Sequence, residues 1–182
     1  CSSDLDGHGA PKSHGGETDA KRVEVNGPWK VVFPAGWDVP TLTTADSLKP
    51  WREMFRDSPA ARAFSGTAVY TVQFELKETG ASVALDLGRV ESVARVELNG
   101  RTFHDLWAYP YRLDVTDVAK KGMNDLRVEV TDTWFNRLVY EGWLPEKKRR
   151  TWTFRRPSER LPLYDSGLLG PVSVSLGGTE RN

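Results

Sequence analysis

Ala68-Val69-Tyr70-Thr71-Val72-Gln73-Phe74-Glu75-Leu76 decides the fold class. Ala68, Tyr70, Val72, Phe74 and Leu76 occupy alternate positions. Successive strand side chains point to opposite faces, so this stretch reads as a long strand with one buried face. The same period of two recurs downstream. Val83, Leu85 and Leu87 alternate with Ser82, Ala84 and Asp86; Ala94, Val96 and Leu98 alternate with Arg95 and Glu97. Leu126, Val128 and Val130 repeat the pattern, and Val172, Val174 and Leu176 give the last strand. Asn99-Gly100 predicts a tight hairpin, because both residues tolerate positive φ.

Upstream, Val23 and Val25 alternate, Asn26-Gly27-Pro28 marks a turn, and residues 29–33 read as a short strand. Helix is scarce. Trp51, Met54 and Phe55 share one helical face within residues 48–55, and Ser58 before Pro59 reads as an N-cap followed by proline at the first position. Residues 107–111 are irregular because Pro110 has no N–H for a ladder, residues 117–120 form a helical turn, and residues 121–124 read as a turn. Many short strands, frequent turns and one or two short helices predict an all-β chain folded as an antiparallel β-sandwich.

One stretch departs from this rhythm. Residues 131–172 hold Trp134, Trp143 and Trp152, with Lys147, Lys148, Arg149, Arg150, Arg155, Arg156 and Arg160. Structureless loops longer than about 12–15 residues are uncommon in compact domains. Disordered segments are poor in aromatics. The stretch therefore reads as a long ordered loop packed over one end of the sheet before the last strand.

The chain has 182 residues, enough for one domain with a real core, and its 25 basic and 25 acidic residues balance. That balance argues against a general nucleic-acid binder. No apolar run is long enough to span a bilayer. Residues 1–21 are polar and glycine-rich and read as a flexible leader, residues 22–177 as the β-sandwich domain, and residues 178–182 as a polar tail. His8 and His14 lie in the leader without metal-ligand spacing. The single cysteine is Cys1, and Cys1-Ser2-Ser3 resembles the start of a mature bacterial lipoprotein, whose N-terminal Cys carries lipid. A chain boundary falling at a cysteine reads equally well. The lipoprotein reading puts the protein outside the cytoplasm, touching the membrane only through that lipid.

An ordered set of motifs carries a family resemblance. Phe64-Ser65-Gly66-Thr67-Ala68-Val69-Tyr70 comes first, then Leu85-Asp86-Leu87-Gly88, Val96-Glu97-Leu98-Asn99-Gly100 and Leu106-Trp107-Ala108-Tyr109-Pro110-Tyr111. Asp114-Val115-Thr116, Gly122-Met123-Asn124-Asp125-Leu126 and Ser166-Gly167-Leu168-Leu169-Gly170-Pro171-Val172 follow. Together they resemble the sugar-binding jelly roll of family-2 glycoside hydrolases. With Gly27-Pro28-Trp29 and Trp134-Phe135-Asn136-Arg137-Leu138, they resemble more closely the C-terminal non-catalytic β-sandwich of bacterial α-L-rhamnosidases. The resemblance implies a galactose-binding-like jelly roll that binds carbohydrate or docks onto a catalytic hydrolase domain in polysaccharide degradation. In those enzymes the catalytic carboxylates sit on a separate (β/α)8 barrel of about 250 residues. The alternatives are a portion of a hydrolase that contributes a loop to its active site, and a surface lipoprotein that binds proteins. No cofactor is implied beyond a structural calcium ion, whose ligands no motif places.

Glycoside hydrolysis uses two carboxylates flanking the sugar, and no pair among Glu141, Glu146, Glu159 and Asp165 is marked by spacing. Catalysis by this chain alone is not expected. His104 reads as a solvent-facing loop residue. Sugars lay C–H faces on aromatic rings while polar side chains bond their hydroxyls, so Trp107, Tyr109, Asn136, Arg137, Trp143, Trp152, Tyr164 and Asp165 are the candidate carbohydrate-binding residues. Packing roles remain open for Trp143 and Trp152, a tie to the sheet for Arg137, and a turn role for Asp165. Trp29, Trp51 and Trp134 are expected in the core. The basic cluster suits an acidic polysaccharide better than a nucleic acid, given the balanced total charge.

Overall fold

The computed structural model describes residues 21–178. Twelve strands form: β1 (Lys21–Glu24), β2 (Trp29–Val32), β3 (Leu42–Ala45), β4 (Thr67–Leu76), β5 (Ser82–Asp86), β6 (Arg89–Val90), β7 (Val93–Leu98), β8 (Arg101–Thr102), β9 (Arg112–Asp114), β10 (Gly122–Thr131), β11 (Leu168–Gly170) and β12 (Ser173–Gly177). Among the described residues, helix is confined to α1 (Trp51–Met54), α2 (Pro59–Arg62), α3 (Phe135–Gly142) and one 3₁₀ turn, Glu146–Lys148. A sheet ordered β3-β2-β4-β10-β7-β8 and a sheet ordered β1-β12-β5-β9 make the sandwich, and β6 with β11 forms a small third sheet. Every ladder is antiparallel.

The alternation behaves as its chemistry requires. Ala68, Tyr70, Val72, Phe74 and Leu76 of β4 are buried, as are Val96 and Leu98 of β7 and Leu126, Val128 and Val130 of β10. Val83, Leu85, Leu113, Val174 and Leu176 complete the core from the other sheet. Asn99 and Gly100 turn the β7–β8 hairpin with φ of 51° and 85°. Ser58 caps α2 by accepting from the Ala61 amide at 3.4 Å, with Pro59 at the first position.

Trp51 of α1 is sealed beneath Phe33 and Phe64, whose rings meet it edge-on at 5.8 and 5.0 Å. Its indole Nε1 donates to the Tyr70 hydroxyl at 2.6 Å, and the Leu168 amide donates to the same oxygen at 3.3 Å. Burial pushes the Tyr70 phenol up to about 12, against the opposing pull of those two donors. This oxygen ties α1, β4 and β11 together. Tyr70→Phe orphans two buried donors and is expected to cost about 1–3 kcal/mol, read as a lower urea midpoint at unchanged slope.

Three expectations need correction, and one strand was missed. Residues 131–172 are not one irregular loop, because α3 and β11 lie within them. The buried positions of α3 are Asn136, Arg137, Val139 and Glu141, three of them polar, so the face it buries does not read as apolar in the sequence. Trp134 is not in the core: it is 46% exposed, beside Trp37 at 5.3 Å. Residues 121–124 do not form a separate turn, since β10 already begins at Gly122. The edge strand β3 went unread because only Ala45 of its four residues is buried.

Candidate functional site

The surface that stands out is built by α3 and the chain that follows it. The last carbonyls of a helix have no partners within it. Here arginines supply donors around its end: Arg149 Nε donates to the Glu141 carbonyl and to that of Leu144, two residues beyond the helix, at 3.0 Å each, and Arg156 Nη1 donates to the Leu138 carbonyl at 3.1 Å. Arg156 Nη2 reaches the Thr151 carbonyl at 2.9 Å. Arg150 extends the other way, donating to the Gly36 carbonyl and meeting Asp38 at 3.3 Å. Trp143 donates through Nε1 to the Glu159 carbonyl at 2.7 Å.

At the centre lies Glu141, whose side chain has no accessible surface. One oxygen accepts from Arg137 Nε at 2.7 Å; the other accepts from the Thr151 amide at 2.9 Å and the Thr151 hydroxyl at 2.5 Å. Burial pushes the Glu141 carboxyl up, but the Thr151 hydroxyl and amide, the Arg137 guanidinium and the Arg150 amide outweigh it, and it sits at about 2. The Arg137 guanidinium is buried between the rings of Trp37 and Tyr140, each 5.4 Å away, with Asp38 at 3.7 Å. Arg137 is therefore the tie between α3 and its surroundings.

This network presents a short run of side chains outward. Trp152 is 87% and Phe154 96% exposed. With Glu146, Arg149, Arg150, Thr151, Thr153 and Arg156 they line an open depression of about 490 Å³. The sequence reading picked out Trp152 but neither Phe154 as a site residue nor Glu141 as the organiser. The Arg137/Glu141 spacing of four, which puts the pair on one helix face, was the available clue.

A second, smaller cleft of about 170 Å³ brings together Asn136, Tyr164 and Asp165 with Glu91, Ser92, Asp132, Thr133 and Phe135. Its parts hold one another. The Asn136 side-chain amide donates to the Tyr164 carbonyl at 3.0 Å and accepts from the Tyr164 amide at 2.8 Å, while the Phe135 and Tyr164 rings stack at 4.5 Å. Asp165 accepts from Arg52 Nε at 2.6 Å and Arg89 Nη2 at 2.9 Å. Burial raises its carboxyl, but the two arginines hold it below the usual range. Asp132 goes the other way: burial raises it more than the Thr133 amide and Ser92 hydroxyl lower it. Trp107 and Tyr109, 77% and 84% exposed, lie on a separate loop and line neither cavity. His104 is exposed.

Glu141 is ionised and sealed, and both Asp165 oxygens are held by arginine, so neither is placed to hand a proton to a sugar. Among the described residues no group of three or more His, Cys, Asp or Glu side chains converges to hold a metal ion, so the calcium expectation is given no position. Cys1, His8 and His14 lie outside the described residues. Among the described residues no helix is long and apolar enough to cross a membrane.

No family model matches the chain. A Formosa agariphila protein with a provisional beta-glucuronidase name is 35% identical, over 85% of this chain and 16% of that protein. The rhamnosidase from Novosphingobium sp. PP1Y superposes with a TM-score of 0.77 at 31% identity, over 95% of this chain and 16% of that one. A beta-glucuronidase from Ruminococcus gnavus, solved in complex with D-glucuronic acid, has a TM-score of 0.60 at 20% identity, over 86% of this chain and 29% of that one, which shows a shared fold. The chain thus spans 16% of the length of the first two. It resembles, in sequence and in fold, one domain-sized part of larger glycoside hydrolases, a rhamnosidase and beta-glucuronidases among them.

Proposed function

We propose that the chain is a non-catalytic, carbohydrate-binding accessory domain of glycan degradation, with the loop around Trp152 and Phe154 as its working surface. One observation carries the reading. Two large rings stand almost wholly in solvent, yet the backbone beneath them is pinned by a buried carboxylate and two arginines. Ordering that loop in advance reduces the conformational entropy lost on binding. Exposed rings on a fixed base suit the flat C–H faces of a pyranose. The likeness to part of a rhamnosidase and of beta-glucuronidases supports carbohydrate as the partner class.

A second reading is favoured by the small share of those enzymes that the chain spans: the same loop docks onto a catalytic domain. Placement outside the cytoplasm, with lipid on Cys1, accords with both, since polymeric glycans are met there.

The test is affinity electrophoresis of the chain against neutral rhamnose-containing and uronate-containing polysaccharides, beside a Trp152→Ala/Phe154→Ala variant. Retardation by at least one polymer is expected, with affinity falling about tenfold or more in the variant, as loss of aromatic contact predicts. The variant should melt with the parent, because neither ring is packed. Aryl α-L-rhamnoside and β-D-glucuronide should be left uncleaved by the chain alone. Retention of full affinity in the variant moves the site elsewhere; binding to no polymer leaves the docking reading.

A further inference from the structure

The loop's charge narrows the ligand beyond "carbohydrate". Residues 143–160 contain seven basic residues against two acidic ones, in a chain whose total charge is zero. The cations divide into two groups. Arg149, Arg150 and Arg156 are engaged in holding the loop, through the carbonyls of α3, Gly36 and Thr151 and through Asp38. Lys147, Lys148, Arg155 and Arg160 are exposed, and among the described residues none of them lies within ion-pairing distance of a carboxylate.

Within residues 147–160, four exposed cations without a carboxylate partner are interleaved in sequence with two bare rings, which makes a mixed stretch of surface. A neutral glycan would use the rings and leave the charges idle. A ligand with both C–H faces and regularly spaced carboxylates uses both. We infer that this surface takes an anionic glycan, a polysaccharide bearing uronic acid residues, with Trp152 and Phe154 under the sugar faces and Arg155 and Lys148 meeting the carboxylates. The inference rests on the carbohydrate-binding reading above and adds the charge class. Arginine suits the second role because its planar fork matches a carboxylate.

Two observations favour this ligand over nucleic acid, the other polyanion that stacks on aromatics. Residues 143–160 carry a local excess of positive charge, and the zero total leaves the rest of the chain with a net negative charge that repels a long phosphate backbone. Acidic sugar is also the chemistry named in the beta-glucuronidase likenesses, one of them in complex with D-glucuronic acid.

The experiment titrates the chain with polygalacturonate, alginate and glucuronoxylan, with their carboxyl-reduced forms, and with single-stranded DNA of matched charge, at about 50 and 500 mM salt. At least one acidic polymer is expected to bind about tenfold or more tighter than its carboxyl-reduced form and than DNA. That difference should collapse at high salt, where the Debye length is only a few Å. Lys148→Ala/Arg155→Ala should remove most of it while the melting temperature is kept. Equal affinity for acidic and reduced forms overturns the charge inference and leaves carbohydrate binding standing. DNA binding as tight as the uronate polymer overturns it in favour of a general polyanion surface. Failure of every polymer in both forms overturns this inference and the reading beneath it together.

Discussion

Glu141→Ala is expected to destabilise the chain by about 3–5 kcal/mol, because it removes the hydrogen-bonded, buried counter-charge of the Arg137 guanidinium and leaves it only the half-exposed Asp38 at 3.7 Å. In a domain of this size that is a melting point roughly 10 °C lower. Binding should suffer with stability, since the Thr151 amide and hydroxyl lose the acceptor that fixes the chain next to Trp152. Glu141→Gln keeps the shape without the charge and should fall between. Acid separates this effect from simple packing. The carboxyl sits at about 2, below its ordinary 4.5, so protons prefer the unfolded chain. Its contribution, on the order of 3 kcal/mol, is therefore complete above pH 4.5 and is lost as pH falls through about 2. Urea midpoints of parent and Glu141→Gln should converge across that window. A gap that stays constant down to pH 2 would show that Glu141 acts only as filler.

The second large effect is expected at Gly167, between the smaller cleft and the core. Its φ is +100°, and an added Cβ would lie 2.5 Å from Trp51 Nε1 and 2.7 Å from the Tyr70 hydroxyl. Gly167→Ala thus combines backbone strain with overpacking of the hydrogen bond that ties α1 to β4, at a cost of roughly 2–5 kcal/mol. Gly100 is the control. Its φ is +85°, but nothing lies within 4 Å of a Cβ there, so Gly100→Ala should show the backbone cost alone, about 1 kcal/mol. Urea unfolding of both variants checks the difference. Equal losses would mean that the space above Trp51 is not as tight as the geometry states.

These two positions show what a linear reading could reach. β4, β7 and β10 were legible because one face of each is apolar and buried, which is what the period of two reports. The β7–β8 hairpin was legible because Asn99-Gly100 is a local backbone requirement. α3 was hidden because three of its four buried residues, Asn136, Arg137 and Glu141, are polar and are held by charge pairing and hydrogen bonds. The short strands β3, β6 and β11 offered too few residues to show a period. At the surface, Trp152 and the basic cluster could be picked out by composition. Which arginines staple the loop and which face solvent depends on where the carbonyls of α3 fall, and no spacing rule carries that. Asn136 drew notice as a polar residue beside aromatics; its amide is taken by the Tyr164 backbone.

The pairing of β1 with β12 sets how this domain carries a load. Lys21 stands opposite Leu176 and Glu24 opposite Ser173, so the first strand enters and the last strand leaves side by side at the same end of one ladder. Antiparallel ladder bonds run perpendicular to the strands. Tension applied through these two neighbouring ends therefore pulls along the bonds and opens them singly, as a zip opens, rather than shearing the row at once. Whatever is joined at those ends, the seam between β1 and β12 is where pulling begins to undo the sandwich.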